Sequence, residues 1–382
     1  MLYFLHIPKV GGSSLARLLE DAFPAGTACP HRHVEDLAAC PPAEVAAHEL
    51  LAGHHGVLPL SWPEPPRTVI TLLRDPVRRA RSHHRSLPAG GLSYREFLAH
   101  PVYGWAARDY QARWLAIEPE PGERRWGQAP GAALPASVQR LQALDGEALA
   151  ARASATLDAC ALVGTTERID DFVVALARML GRPLPPAPHL NVGPGAPAEP
   201  DAAADAVVRE RSAIDARLHA RADAALDAAL ATLPPLPPEP VVPGPYRQSM
   251  EEPLCGVGWH ARHRTAEVGW HRWTGPSATS WVRLPVRLRG RAGLEVAIPS
   301  TSCDEAVASL RLTVQGRPVA HVVEPRAEGV AAVAEVELDS SRPLVLALDT
   351  AVTRPLVDPA TGQASEPAGV AVGDIAVTPA AA

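Results

Sequence analysis

The apolar positions of this chain fall into two regimes. Up to about residue 232, short unbroken apolar runs alternate with stretches in which apolar residues recur at helical spacing. Residues 2–7, 68–73 and 161–165 are such runs, of the length and β-branched character expected of strands buried on both faces. Between them lie helix signals. Leu15-Ala16-Arg17-Leu18-Leu19 follows a glycine turn. Asp75-Pro76 pairs an N-cap carboxylate with a proline at the first helical position. Ser93-x-x-Glu96 is a capping box. Residues 171–180 and the Ala/Arg/Asp-rich segment 202–233 keep helical periodicity. Strands alternating with helices predict an α/β domain over residues 1–232, a P-loop-like parallel sheet flanked by helices.

The pattern then changes. Residues 233–247 are rich in proline and predict a stiff linker. Beyond them, 280–288, 294–298, 309–314, 319–323, 332–338, 344–348 and 369–377 alternate apolar and polar residues. Gln315-Gly316 and Ala292-Gly293 read as turns between them. Short strands at this spacing predict a C-terminal all-β sandwich domain over residues 248–382.

Composition narrows the function classes. A chain of 382 residues implies two or three domains. A net charge of −6 argues against a nucleic-acid partner held by bulk positive charge. Residues 1–7 are too short and too soon polar for a signal peptide, and no run of 18 apolar residues occurs, so no membrane span is expected. Five scattered cysteines do not form a disulfide framework. The expected compartment is cytoplasmic; the oligomeric state is not legible.

Two loops carry chemistry. His6-Ile7-Pro8-Lys9-Val10-Gly11-Gly12-Ser13-Ser14 runs from a strand through a glycine turn into a helix. Free N–H groups and the helix dipole favour an anion there, and the glycines let the backbone approach it. Ser13 and Ser14 add hydroxyls. Lys9 adds charge, and it is the only lysine in the chain. Lysine precedes the glycines, so the nucleoside-triphosphate loop G-x-x-x-x-G-K-[ST] is not matched. The second loop, Leu73-Arg74-Asp75-Pro76-Val77-Arg78-Arg79-Ala80-Arg81-Ser82, follows another core strand and emerges on the same carboxyl edge, where open α/β sheets bind ligands. Arg74 and Ser82 are candidates to grip a second phosphate. Arg78, Ser82 and Arg85 share a helix face by spacing, and Arg79 and Arg85 read as a solvated basic surface.

Together the loops resemble those of the sulfotransferases that use 3′-phosphoadenosine 5′-phosphosulfate, in particular the broad family containing heparan sulfate 2-O-sulfotransferase. The family loops resemble H-I-P-K-T-G-G-[ST]-S and R-D-P-V-x-R-x-x-S, and the likeness covers about residues 1–230. It implies that Lys9, Gly11, Gly12, Ser13 and Ser14 hold the 5′-phosphosulfate, with Lys9 on the bridging oxygen, and that Arg74 and Ser82 hold the 3′-phosphate. It implies a Gly-His base, matched by Gly53-His54, with His55 as the competing histidine. Residues 163–168 resemble a family strand end, and Asn191 lies in a loop that often closes over the nucleotide. The sequence departs from the pattern at Val10, where a threonine is usual, and at Arg78, in place of a frequent acidic residue.

Further groups have two readings each. Cys29-x-His31-x-His33 with Cys40 lacks a standard structural-zinc spacing and reads as a polar loop. Gln111 and Arg113 are either sugar contacts or part of a helix that packs through Trp114 and Leu115. Trp259, Trp270, Trp273 and Trp281 either pack the β domain or stack on glycan.

The expectation is therefore an enzyme that moves a sulfuryl group to a hydroxyl of a carbohydrate or glycan acceptor. In it Lys9 stabilises the leaving phosphate oxygen and His54 takes the acceptor proton. No metal is expected, because fixed charges and dipoles hold the leaving group. The alternatives are a P-loop kinase of small molecules or sugars and a non-enzymatic glycan-binding protein with a decayed nucleotide site.

Overall fold

A computed structural model of the protein describes residues 1–33, 36–37, 40–62, 64–87, 91–101, 103–117, 144, 146–188, 201–242, 244–357 and 364–380. The chain divides into two compact units. The first comprises Met1–Glu20, Gly26–Leu180 and Ala187–Pro234; the second comprises Asp21–Ala25, Gly181–Pro186 and Pro235–Ala382.

The first unit is built on four parallel strands: β1 (Leu2–Leu5), β2 (Leu50–Gly53), β3 (Thr68–Leu73) and β4 (Leu162–Thr165). They are ordered β2-β1-β3-β4. Nearly every strand residue is buried, as parallel strands covered on both faces should be. From β1 the chain crosses to β2 on one side; β3 then lies on the other side of β1, with β4 beyond it. The direction of winding reverses between β1 and β3, so their carboxyl ends flank the topological switch point.

The helices around this sheet are α1 (Gly12–Ala22), α2 (Pro42–Ala46), α3 (Pro76–Arg85), α4 (Tyr94–Ala99), α5 (Tyr110–Ala116), α6 (Gly146–Asp158), α7 (Ile169–Leu180), α8 (Ala202–Arg211) and α9 (Ala213–Thr232). The cap signals act as their chemistry dictates. The Asp75 side chain accepts from the Arg78 N–H at the start of α3, and Ser93 and Glu96 close a capping box on α4. Along α9, Ile214, Leu218, Ala222 and Leu226 form the buried stripe that packs on β4 and β3. The helical segment 202–233 is two helices, separated at Ser212.

The second unit is antiparallel and all-β in its sheets. One five-stranded sheet has the order β14-β15-β10-β20-β5, built from β14 (Val322–Pro325), β15 (Val330–Leu338), β10 (Gly290–Ile298), β20 (Ile375–Pro379) and β5 (Tyr246–Gln248). A second has the order β13-β12-β16-β9-β6, from β13 (Arg317–Val319), β12 (Arg311–Val314), β16 (Leu344–Asp349), β9 (Thr279–Leu284) and β6 (Cys255–Val257). Their inward residues, among them Leu294, Val296 and Val336 from one and Val282, Leu346 and Leu348 from the other, share one apolar core. A four-stranded sheet, β11-β19-β8-β7, contains β11 (Ser300–Thr301), β19 (Val370–Val372), β8 (Gly269–Thr274) and β7 (Trp259–Thr265). A ribbon of β17 (Arg354–Val357) and β18 (Ala364–Ala368) completes it, and a short helix, α10 (Asp304–Ala308), precedes β12.

Two turn expectations separate here. Gln315 and Gly316 have φ of 49° and 79° and join β12 to β13, a two-residue hairpin turn. Ala292-Gly293 is no turn: both residues lie inside β10, where Ala292 pairs with Val336 and with Pro379. A central strand with a partner on each side keeps a glycine extended. Segment 319–323 also breaks, at Ala320-His321, between β13 and β14. In the proline-rich segment Glu239 is buried and pairs with Arg283 and Arg287, and β5 pairs with β20. Among the described residues, no helix is long and apolar enough to cross a membrane.

Candidate functional site

The turn after β1 contains two left-handed residues, Lys9 at φ 71° and Gly11 at φ 76°. Glycine adopts this conformation freely. A lysine does so at a cost of roughly 1–2 kcal/mol, so the surrounding packing must hold it there. Gly12 opens α1 directly over the His6 ring, and a Cβ built on it would lie 1.9 Å from His6 Cδ2. Only glycine lets the helix start so close to the strand. The turn is also clipped from the far side of the sheet. The Thr166 hydroxyl, just beyond β4, donates to the Val10 carbonyl and, at 3.1 Å, to the Leu73 carbonyl at the end of β3. Ser14 is buried and Ser13 exposed at the start of α1; the Ser14 N–H donates to the Gly11 carbonyl at 3.2 Å, and the N–H groups of Gly12 and Ser13 precede the first helical bonds.

The second loop lies against the first. Arg74 Nη1 donates to the Lys9 carbonyl at 3.2 Å. Arg74 is in turn fixed by the side-chain amide of Gln111 on α5, which accepts from the Arg74 N–H and donates to the Arg74 carbonyl, both at 2.8 Å. The Arg74 Nε is buried without a hydrogen-bond partner among the described residues. Arg79, expected on a solvated face, is instead 1% exposed. It projects inward from α3, where its guanidinium lies 4.1 Å from the Tyr110 ring centroid and donates to the Ala106 carbonyl. Position 79 falls on the inward side of the helix with Pro76 and Ala80, and that periodicity was the available signal. Arg85 is exposed, as expected.

Electrostatics follow from this crowding. The Lys9 ammonium is pushed below its ordinary pKa by burial and then by Arg79 and Arg74. Arg74 and Arg79 are also lowered, chiefly by burial. Among the described residues none of the three cations has an ion-pair partner. His83, on α3 beside Arg79, has its pKa pushed down to about 3 by burial, then by Arg79 and Lys9, and stays neutral. Ser82 is half-buried on α3, with no hydrogen bond to Arg74 among the described residues.

His54 stands at the end of β2, the neighbour of β1. Its Nδ1 bonds the His6 carbonyl at 2.8 Å, and its N–H donates to the Arg32 carbonyl at 2.8 Å. A carbonyl only accepts, so Nδ1 carries the proton and the neutral ring keeps its lone pair on Nε2. The ring stands between His6, at 4.1 Å between centroids, and His33, at 5.7 Å, with the Trp114 edge at 6.1 Å. His6 is held neutral by burial, reinforced by the neighbouring histidines and Arg32. His55 is 0% exposed, and burial drives its pKa down to about 3. His54 is thus half-buried, whereas His55 is fully enclosed.

Sequence reasoning missed Arg32. It pairs with Glu20 on α1 and donates at 2.8 Å to the Ala52 carbonyl of β2, while its own carbonyl orients His54. The segment around it bridges onto β2 at Ala28–Leu50 and His33–His54. Gln111 is not a sugar contact, because it is 0% exposed and fully used on Arg74. Arg113 donates to the Arg108 carbonyl, and Trp114 and Leu115 are buried, the packing expected of a core helix. Cys29 is buried, Cys40 Sγ lies 3.0 Å from His31 Nε2, and no group of three potential metal ligands occurs among the described residues. Asn191 lies outside the described residues.

No protein-family model, curated protein or solved structure matches the chain.

Proposed function

We propose that the protein is a sulfotransferase that transfers a sulfuryl group from 3′-phosphoadenosine 5′-phosphosulfate to a hydroxyl of a carbohydrate or glycan acceptor. One observation carries the reading. Lys9, Arg74 and Arg79 crowd together at the switch point of a parallel sheet without ion-pair partners among the described residues. Like charges crowded in a site that is half-buried at Lys9 and Arg74 and fully buried at Arg79 persist where an anion offsets them, and the Arg74 Nε, buried without a hydrogen-bond partner among the described residues, is a donor suited to one. The sequence likeness of the two loops specifies the anion as a nucleotide with phosphates at both ends. In this reading the sheet is P-loop-like, the C-terminal sheets form a sandwich, and the enzyme works in the cytoplasm.

The donor supplies an activated sulfuryl group. Lys9 and the N–H groups at the start of α1, with Gly11, Gly12, Ser13 and Ser14, hold its 5′ side; Arg74 and Ser82 hold the 3′-phosphate. The acceptor oxygen bonds to sulfur as the bond from sulfur to the bridging oxygen breaks. Charge grows on the leaving phosphate, where the Lys9 ammonium stabilises it most in the transition state. His54 Nε2 accepts the acceptor proton, and the Nδ1 bond to the His6 carbonyl stabilises the imidazolium that results. The products are adenosine 3′,5′-bisphosphate and a sulfate ester. A kinase reading needs a strand-end carboxylate for magnesium, whereas Asp75 is occupied as the α3 cap.

Titration with adenosine 3′,5′-bisphosphate and, separately, with ATP and magnesium tests the reading. Tight binding of the bisphosphate alone is expected. Tight binding of ATP alone favours the kinase, and binding of neither favours a protein without a working nucleotide site.

A further inference from the structure

The second unit contains a hollow that the proposed transfer chemistry does not use. Its floor is one face of the β7–β8 pair. His263 stands directly opposite His271, with ring centroids 6.1 Å apart. Two residues along β8, and therefore on the same face, Trp273 meets His271 edge-on at 6.3 Å. Leu356 and Val357 of the β17–β18 ribbon also line it. The cavity measures about 680 Å³, within the range of roughly 300–1,000 Å³ that holds small ligands. A second hollow, of about 790 Å³, adjoins it across Pro299 and Ser300 and extends to His321 and Val323.

The lining is amphipathic in a particular way. Trp273 is only partly buried, and its indole N–H makes no hydrogen bond among the described residues. His271 is 4% exposed, and its Nδ1 donates to the Gly269 carbonyl, which leaves Nε2 as an acceptor. Five large apolar side chains are exposed among the described residues, and two of them, Val323 at 41% and Val357 at 62%, line these hollows. The described lining holds two carboxylates, Glu267 and Asp304, and neither lysine nor arginine. An anionic polymer is disfavoured by those charges. A neutral sugar chain fits: its C–H faces stack on an indole, and its hydroxyls both donate and accept.

From this juxtaposition we infer that the β7–β8 face and the adjoining hollow form a binding cleft for a neutral oligosaccharide several rings long. The cleft is independent of the nucleotide site and of the sulfuryl-transfer reading.

The test uses the full chain without nucleotide and follows tryptophan emission with hexasaccharides of β-1,4-glucose, β-1,4-mannose, β-1,4-xylose and β-1,4-galactose. At least one is expected to give a saturable change. Trp273→Ala should weaken that binding by about tenfold or more, while Trp270→Ala, on the opposite face of β8, leaves it in place. Val357→Arg changes an exposed side chain and should weaken binding without unfolding the protein, so it decides the matter if Trp273→Ala does not fold. The inference is overturned if none of the four sugars binds, or if Val357→Arg and a folded Trp273→Ala bind as the parent does.

Discussion

Lys9 joins two unusual properties in one residue: it is the only lysine of the chain, and it sits in a backbone conformation that lysine resists. Strain kept at a fixed point of a turn is expected where a side chain is needed for chemistry. Lys9→Gly should therefore raise stability by roughly 0.5–1 kcal/mol, measured by urea denaturation, since glycine takes φ 71° without strain but has a more disordered unfolded chain. The same variant, like Lys9→Ala, should slow sulfuryl transfer by about 10²–10³-fold. Unchanged turnover would remove Lys9 from the mechanism. The adjacent histidines should split in the opposite manner. His54→Ala should abolish most turnover with near-normal bisphosphate affinity and stability, whereas His55→Ala, which empties a buried site, should cost about 2 kcal/mol of stability. A His55→Ala enzyme that folds well but cannot turn over would reverse the assignment. Lys9 was legible in the sequence because it was singular. Gln111 was not, because glutamine is ordinarily a surface residue and only packing shows that it points inward; for Arg79 the helical spacing with Pro76 and Ala80 was the one trace, and it runs against the surface habit of arginine.

At the scale of elements, the site depends on two helices that cap each other. Asp109 accepts from the Ile214 and Asp215 N–H groups at the start of α9, and Asp215 accepts from the Gln111 and Ala112 N–H groups at the start of α5. This exchange fixes α5, and α5 carries Gln111 to both backbone groups of Arg74. Gln111→Leu keeps the volume and removes both bonds, leaving the Arg74 backbone groups to find other partners. We expect bisphosphate affinity to fall by about tenfold, at 1–2 kcal/mol for the loosened loop, with kcat at saturating donor changed less than KM. A loss confined to kcat would place Gln111 in the chemistry instead. Cap signals such as Asp75-Pro76 and Ser93-x-x-Glu96 could be read directly, since a few adjacent residues determine them. The Asp109–Asp215 exchange spans a hundred residues and leaves no local trace. Strand β2 escaped notice for a related reason: Leu-Leu-Ala-Gly is too short to show a period, and its place beside β1 makes it a strand. Gly293 shows the converse, a local turn signal overruled by two paired neighbours.

Across the whole molecule, negative net charge coexists with a cluster of cations that lack ion-pair partners among the described residues, so the carboxylates nearest that cluster set its pH response. Glu167, just past β4, faces Arg74 and hydrogen-bonds the Asp75 N–H, and on its other side it meets His219 of α9 at 3.1 Å. The bond to Glu167 raises the His219 pKa above 6.5 despite partial burial. The Glu167 pKa is lowered below 4.5: burial pushes it up, but the bonds to His219 and to backbone N–H groups outweigh that push. The signs then define a window. The histidine's contribution is complete below pH 6.5 and is lost as pH rises through its raised folded value. The carboxylate's is complete above pH 4.5 and is lost as pH falls through its lowered one. The pair thus stabilises the fold most between those limits, by an amount on the order of 1 kcal/mol for a partly exposed contact. His219→Gln should be most destabilising near pH 5.5 in urea melts, with the deficit shrinking by pH 9 as the parent loses its charged histidine. A deficit equal at both pH values would mean that His219 acts by packing alone, and that Glu167 faces Arg74 without a titrating partner behind it.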